Sequence, residues 1–172
     1  MALMASSRRE ADVPDYPIWL LILLPILALW LQSLLALHLP HFDVLDLPLL
    51  VTIYFAITWR NPIGGTLCGA AIGILQDVPT QHPLGVYGIA KAIIGYFAAS
   101  IGIRIDTESL GTRLLLIPAF TLVHGGIVWL LETHLIDQPY AWIWWLEGLH
   151  AVVNAVIGVM LFSLFDRARR RD

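Results

Sequence analysis

Few side chains in this sequence are suited to chemistry, and they keep unusual company. Gln76, Asp77, Lys91, His124, Glu147, His150 and Asn154 all lie within, or at the ends of, long apolar runs. Glu147 and His150, spaced i, i+3, would share one helix face and could in principle exchange a proton. No nucleophile with an orienting partner accompanies them, and the sequence contains neither HExxH, nor G-x-S-x-G, nor a P-loop, nor G-x-G-x-x-G. No catalytic residue and no enzyme activity are expected. His124, beside Gly125 and Gly126, is a lone histidine, which more often satisfies a neighbouring acceptor than holds a metal. Cys68 has no second thiol and no Cys/His cluster around it, so neither a disulfide, a metal nor a cofactor is expected.

The composition explains where these residues must sit. Of 172 residues, 58% are hydrophobic and 13% charged, whereas a soluble domain carries about 25% charged residues. Too few polar groups are present to coat a globule of this size, but helices facing lipid need no such coat. The expected fold class is therefore all-α, a polytopic membrane protein. The formal net charge is −3 and the basic residues are scattered except for one carboxy-terminal run, which excludes an electrostatic footprint for nucleic acid.

Six apolar runs supply the spans. The first, Ile18 to Leu39, follows Arg8 and Arg9 but is too long for a signal-peptide core and lacks a small-x-small cleavage site. The others cover roughly Leu45 to Trp59, Ile63 to Val78, Leu84 to Ile103, Arg113 to Leu131 and Tyr140 to Phe165. The turn Arg60-Asn61-Pro62 is the least clearly marked boundary. The expected organisation is a cytoplasmic segment 1–17, one six-helix transmembrane domain 18–165 and a basic cytoplasmic tail 166–172. Arg8, Arg9, Arg60, Arg104, Arg113, Arg167, Arg169, Arg170 and Arg171 fall on one side of that topology, and the opposite loops contain no Lys or Arg. The positive-inside rule then places both termini in the cytoplasm of a bacterial inner membrane, with Asp43, Asp46, Asp77, Glu132, Asp137 and the aromatic group Tyr140, Trp142, Trp144 and Trp145 outside.

In lipid, close backbone approach through small residues is a main source of packing energy. Gly65, Gly69 and Gly73 form such a stripe that leads to Asp77; Gly88, Ala92 and Gly95 form another beside Lys91; and Gly158 closes a row that begins at Glu147 and passes Asn154. A charge near the bilayer centre costs roughly 2.5 to 3.5 kcal/mol and so faces protein and a partner. Lys91 and Glu147 each lie seven residues inside their runs, about 10 Å at 1.5 Å per residue. Helical side chains lean toward the helix N-terminus, which raises the Lys91 ammonium toward the outer surface. An ion pair of Lys91 with Asp77 or Glu147 is expected, either as a lock between helices or as part of a partner-sensitive site. Trp30, Gln32 and Ser33, mid-span in the first helix, and the aromatic start of the sixth are candidate docking surfaces for partner helices. The basic tail is expected to rest on anionic membrane lipid.

The stretch from Gly69 to Ile103 carries a glycine-containing helix ending in Leu75-Gln76-Asp77, a short turn, Leu84-Gly85, then a helix with Lys91 and Gly95-Tyr96. This stretch resembles the signature region of the MreD family of rod shape-determining proteins, although Gln81-His82-Pro83 stands where many members have a small residue. The resemblance implies a non-catalytic subunit of the cell-elongation machinery, associated with MreC and through it with MreB, RodA and the penicillin-binding transpeptidase of the lateral wall. Proteins of this family also resemble in fold the S-components of vitamin transporters, so the alternative is a substrate-binding subunit. The alanine coupling stripe usual on an S-component's first helix is absent, since Ala28 and Ala36 stand eight apart with Gln32 between them.

Overall fold

The computed structural model describes residues 18–38, 44–80, 83–136 and 142–169. Among them are six α-helices and no strand: α1 (Ile18–His38), α2 (Leu47–Trp59), α3 (Pro62–Thr80), α4 (Val86–Gly102), α5 (Leu110–His134) and α6 (Trp144–Arg169). Each falls on one of the six apolar runs. The expectations for residues 1–17, Asp43, Gln81-His82, Asp137, Tyr140, Arg170 and Arg171 lie outside the described residues.

The centre of the bundle is α2. Every residue from Leu47 to Ile57 is buried, and α2 touches all five other helices. A helix that is apolar all round belongs in a protein interior. Its 13 residues span only about 20 Å at 1.5 Å per residue, less than the ~30 Å hydrocarbon core.

The Arg60-Asn61-Pro62 boundary is a two-residue hinge with chemistry at both ends. Arg60 ends α2 in the left-handed conformation, φ 52°, with its N–H donating to the Ala56 carbonyl. The Asn61 side-chain oxygen then accepts from the N–H groups of Ile63 and Gly64, and Pro62 opens α3 where no N–H donor is needed.

The most extensive helix contact is between α3 and α4. Gly65 lies against Gly95 and Ala99, Gly69 against the backbone of Lys91 and Ala92, and Gly73 against Tyr87 and Gly88. A Cβ at Gly69 would overlap the Lys91 carbonyl oxygen, so only glycine permits this approach. On the other side of the molecule Gly158 of α6 receives Ile117 and Leu50. The α5–α6 pair is tied at its arginine-bearing end by Arg113, which bonds Asp166 at 2.6 Å and the Thr107 carbonyl at 2.9 Å. Tyr54 of α2 donates to the other Asp166 oxygen at 3.1 Å.

Three helices are long and apolar enough to cross a membrane: Trp19–His38, Leu110–His134 and Trp144–Arg167. The helix α1 is peripheral. Among the described helices it contacts α2 and α3 alone, and it exposes Trp19, Ile22, Leu23, Ile26 and Trp30.

Candidate functional site

At the end of the bundle opposite Arg113, the polar residues are organised around Asp46. This residue caps α2: its carboxylate accepts from the Leu49 N–H at 2.9 Å, and Pro48 follows in the first turn. The same carboxylate accepts from the Lys91 ammonium at 2.7 Å, while the Asp46 backbone N–H donates to the Asn154 side-chain oxygen at 3.0 Å. One acidic residue thus joins α2 to α4 and α6. The charge also complements the positive end of the α2 dipole.

Lys91 is fully buried. Its ammonium lies 3.2 Å from His124 Nε2 and 4.9 Å from the centre of the Tyr87 ring. An ammonium can only donate, so His124 accepts through Nε2. The imidazole also stacks on Tyr87, with ring centres 5.7 Å apart and planes 10° from parallel. His124 is therefore a satisfied acceptor of the ion pair, and among the described residues no three His, Cys, Asp or Glu groups converge as a metal site.

The ion pair differs from the one expected. Lys91 pairs with Asp46, and neither Asp77 nor Glu147 is its salt-bridge partner. Asp77 instead crosses the turn to the start of α4, where its carboxylate accepts from Gly85 N–H at 2.7 Å and Tyr87 N–H at 3.0 Å. Carboxylate oxygens there satisfy two orphan donors at a helix N-terminus. Gly85, at φ 102°, makes the sharp entry to α4 possible.

Gln76 reaches toward Asp46 with a long 3.5 Å contact from its amide nitrogen, and its amide oxygen has no partner. Asn154 is fully engaged: its nitrogen donates to the carbonyls of Val44 and His150, and its oxygen holds Asp46. Glu147 is buried in the first turn of α6 with His150 Nδ1 3.6 Å from its carboxylate. Gln76, Asp46, Glu147, His150, His124 and Asn154 line one cavity of about 630 Å³, walled on its other side by Leu29, Gln32, Ser33, Ala36 and Leu37 of α1. Asp77 and Lys91 stand behind that lining.

The residues considered for docking separate. Gln32 turns inward and brackets the start of α2, donating to the Leu45 carbonyl at 2.7 Å and accepting from the Leu47 N–H at 3.2 Å. That engagement replaces the outward role expected of it. The Ser33 hydroxyl donates to the Leu29 carbonyl of its own helix. Trp30 stands 60% exposed, and Trp144 and Trp145 at the start of α6 are more exposed still.

Asp46 is the central residue that pattern reading assigned to an exterior loop. An acidic residue directly ahead of Leu47-Pro48 and an apolar run is an N-cap signal, and it was available in the sequence. Tyr87 and the Arg113–Asp166 tie carry no comparable local sign.

The apolar helices enclosing this buried, charge-paired core are those of an integral membrane protein whose polar groups organise helices. The match to known families narrows that class: residues 16–167 fit the sequence profile of rod shape-determining protein MreD. The match covers nearly the whole chain, which belongs to the MreD family and is a rod-shape-determining membrane protein. That family is a structural one, not a known enzyme family. No curated protein and no solved structure matches the chain.

Proposed function

We propose that this chain is a non-catalytic subunit of the bacterial cell-elongation complex, binding MreC within the inner membrane and thereby helping to organise lateral peptidoglycan synthesis. MreB, RodA and the penicillin-binding transpeptidase would be reached indirectly, through MreC. The observation that carries this reading is family membership over residues 16–167. In this reading the chain forms one domain of six membrane-spanning helices. The arginines at one set of turns argue for cytoplasmic termini, with the Asp46 end of the bundle outward.

A partner helix needs an apolar face to pack on, and α1 offers one. It is long enough to span, lies at the periphery and exposes Trp30 among leucines and isoleucines. Since helix association in lipid relies on packing, a bulky anchor in an otherwise uncovered face supports α1 as the seat of the MreC helix. The basic residue Arg167, with the tail beyond it, would hold the carboxy-terminus against anionic lipid.

The test is to express the tagged chain in its native host, solubilise in mild detergent and identify co-purifying proteins by mass spectrometry. Recovery of MreC with wall synthases is the expected result. An ATPase pair with a coupling subunit, or a stoichiometric vitamin, would overturn it in favour of an S-component-like transporter subunit, the alternative to which the 630 Å³ cavity lends weight. A Trp30→Ala chain that recovers MreC undiminished would move the docking surface away from α1.

A further inference from the structure

The cavity between α1 and α6 has charge and hydrogen-bonding capacity left over. Two carboxylates line it, Asp46 and Glu147, while a third, Asp77, and the one ammonium, Lys91, stand just behind the lining. Asp46 is matched by Lys91 and by the Leu49 N–H, and Asp77 by two N–H groups of α4. Glu147, 4% exposed, has only an imidazole nitrogen at 3.6 Å among the described residues. An anion held in low dielectric without a matching cation is unfavourable by several kcal/mol or more. Gln76, also 4% exposed, lines the same cavity, and its buried amide oxygen accepts nothing. Such an orphan acceptor costs free energy unless something donates to it.

Both deficits call for the same occupant: a positively charged group rich in N–H donors. The volume, about 630 Å³, exceeds what a single ion needs and falls in the range of small-molecule sites. Access is lateral. Residues of α1, α5 and α6 all line the cavity, yet α1 makes no contact with α5 or α6 among the described residues. Leu29, Ala36 and Leu37 supply an apolar wall along that gap.

We propose that this cavity binds a primary ammonium group, hydrogen-bonded by the Gln76 amide oxygen and charge-paired with Glu147, presented by the headgroup of an aminophospholipid entering between α1 and α6. A small diffusible amine offers the same chemistry from the aqueous side. The site is independent of MreC docking, because its acceptors face the cavity and Trp30 faces away.

The full chain would be reconstituted in nanodiscs of equal parts phosphatidylethanolamine and phosphatidylglycerol, and the lipid it retains read by native mass spectrometry. Retention of phosphatidylethanolamine over phosphatidylglycerol by about tenfold is expected, the factor a charge-assisted hydrogen bond supplies. Glu147→Gln should bring the ratio near parity with the helical signal unchanged. A headgroup series from ethanolamine through its N-methyl forms to choline on the unmodified chain provides a second reading, since each methyl removes a donor, and retention should fall along it. In phosphatidylglycerol-only nanodiscs, saturable binding of O-phosphoethanolamine would assign the source to a diffusible amine. Equal retention of all headgroups, together with no binding of O-phosphoethanolamine, overturns the proposal.

Discussion

The two ends of the bundle each bury an ion pair, and the two are built to different specifications. At one end, Arg113 is closed in: Asp166 at 2.6 Å, the Thr107 carbonyl at 2.9 Å and the Phe162 ring beneath its guanidinium, with Tyr54 bonded to the second Asp166 oxygen. Two guanidinium nitrogens and both Asp166 oxygens are engaged within this one cluster. At the other, Lys91 and Asp46 are as tightly joined, at 2.7 Å, but around them stand the Glu147 carboxylate, met only by an imidazole at 3.6 Å, an amide oxygen with no partner among the described residues, and an open volume. A closed pair holds helices in register. A pair beside surplus acceptors does so and also leaves capacity for something else to bind.

Perturbing each end should separate these roles. The largest effect is expected from Lys91→Met, which strands the Asp46 carboxylate and His124 in the interior and should cost about 3 to 5 kcal/mol. Reversible unfolding in mixed detergent micelles, followed by tryptophan fluorescence, would measure it. Adding Asp46→Asn should restore much of the loss, since both charges are then gone; no recovery in the double variant would mean that the pair is not the unit described above. Gly69→Ala pushes a methyl into the Lys91 carbonyl and should cost about 1 to 3 kcal/mol by forcing α3 from α4.

At the opposite end Asp166 is slightly more solvated than Asp46, 23% against 17% by side chain, it keeps the Tyr54 hydroxyl as a donor, and no second buried group like His124 loses its donor with the cation. Arg113→Met should therefore cost less than Lys91→Met, about 2 kcal/mol, in the same assay. The ranking reversed would erase the distinction between the ends. Tyr54→Phe removes only the hydroxyl bonded to Asp166 and should cost about 1 kcal/mol. The smallest loss is expected from Glu147→Gln in nanodiscs of phosphatidylglycerol alone, where removing a buried carboxylate whose nearest partner is the His150 imidazole at 3.6 Å should leave stability unchanged or raise it. A loss above about 2 kcal/mol would make Glu147 part of the structural lock.

What could be read from the residues divides along the same line. The six helices stand on the six apolar runs, and the family suggested by the stretch from Gly69 to Ile103 is the one matched over residues 16–167. The Arg60 hinge was hard to place because neither a glycine nor a run of polar residues marks it; an asparagine cap and a proline do the work over three residues. Partner choice was less legible. The lean of Lys91 toward its helix N-terminus follows from helix geometry, but which carboxylate it meets depends on how α2 enters the bundle, a tertiary matter. Asp46 was grouped with the exterior-loop acids although the second apolar run was read from Leu45, when its place directly before Leu47-Pro48 identified it as a cap. Arg113 was read as a topology charge alone, since its partner lies 53 residues onward in α6.

The central position of α2 bears on how the chain is made. Asp46 is synthesised 45 residues before Lys91, so a nascent chain that has reached only α3 carries the carboxylate without its ammonium, and α2 without the helices that later enclose it. The ion pair can form only after α4 has been made, which makes the Lys91 codon the point in synthesis after which the polar core can close.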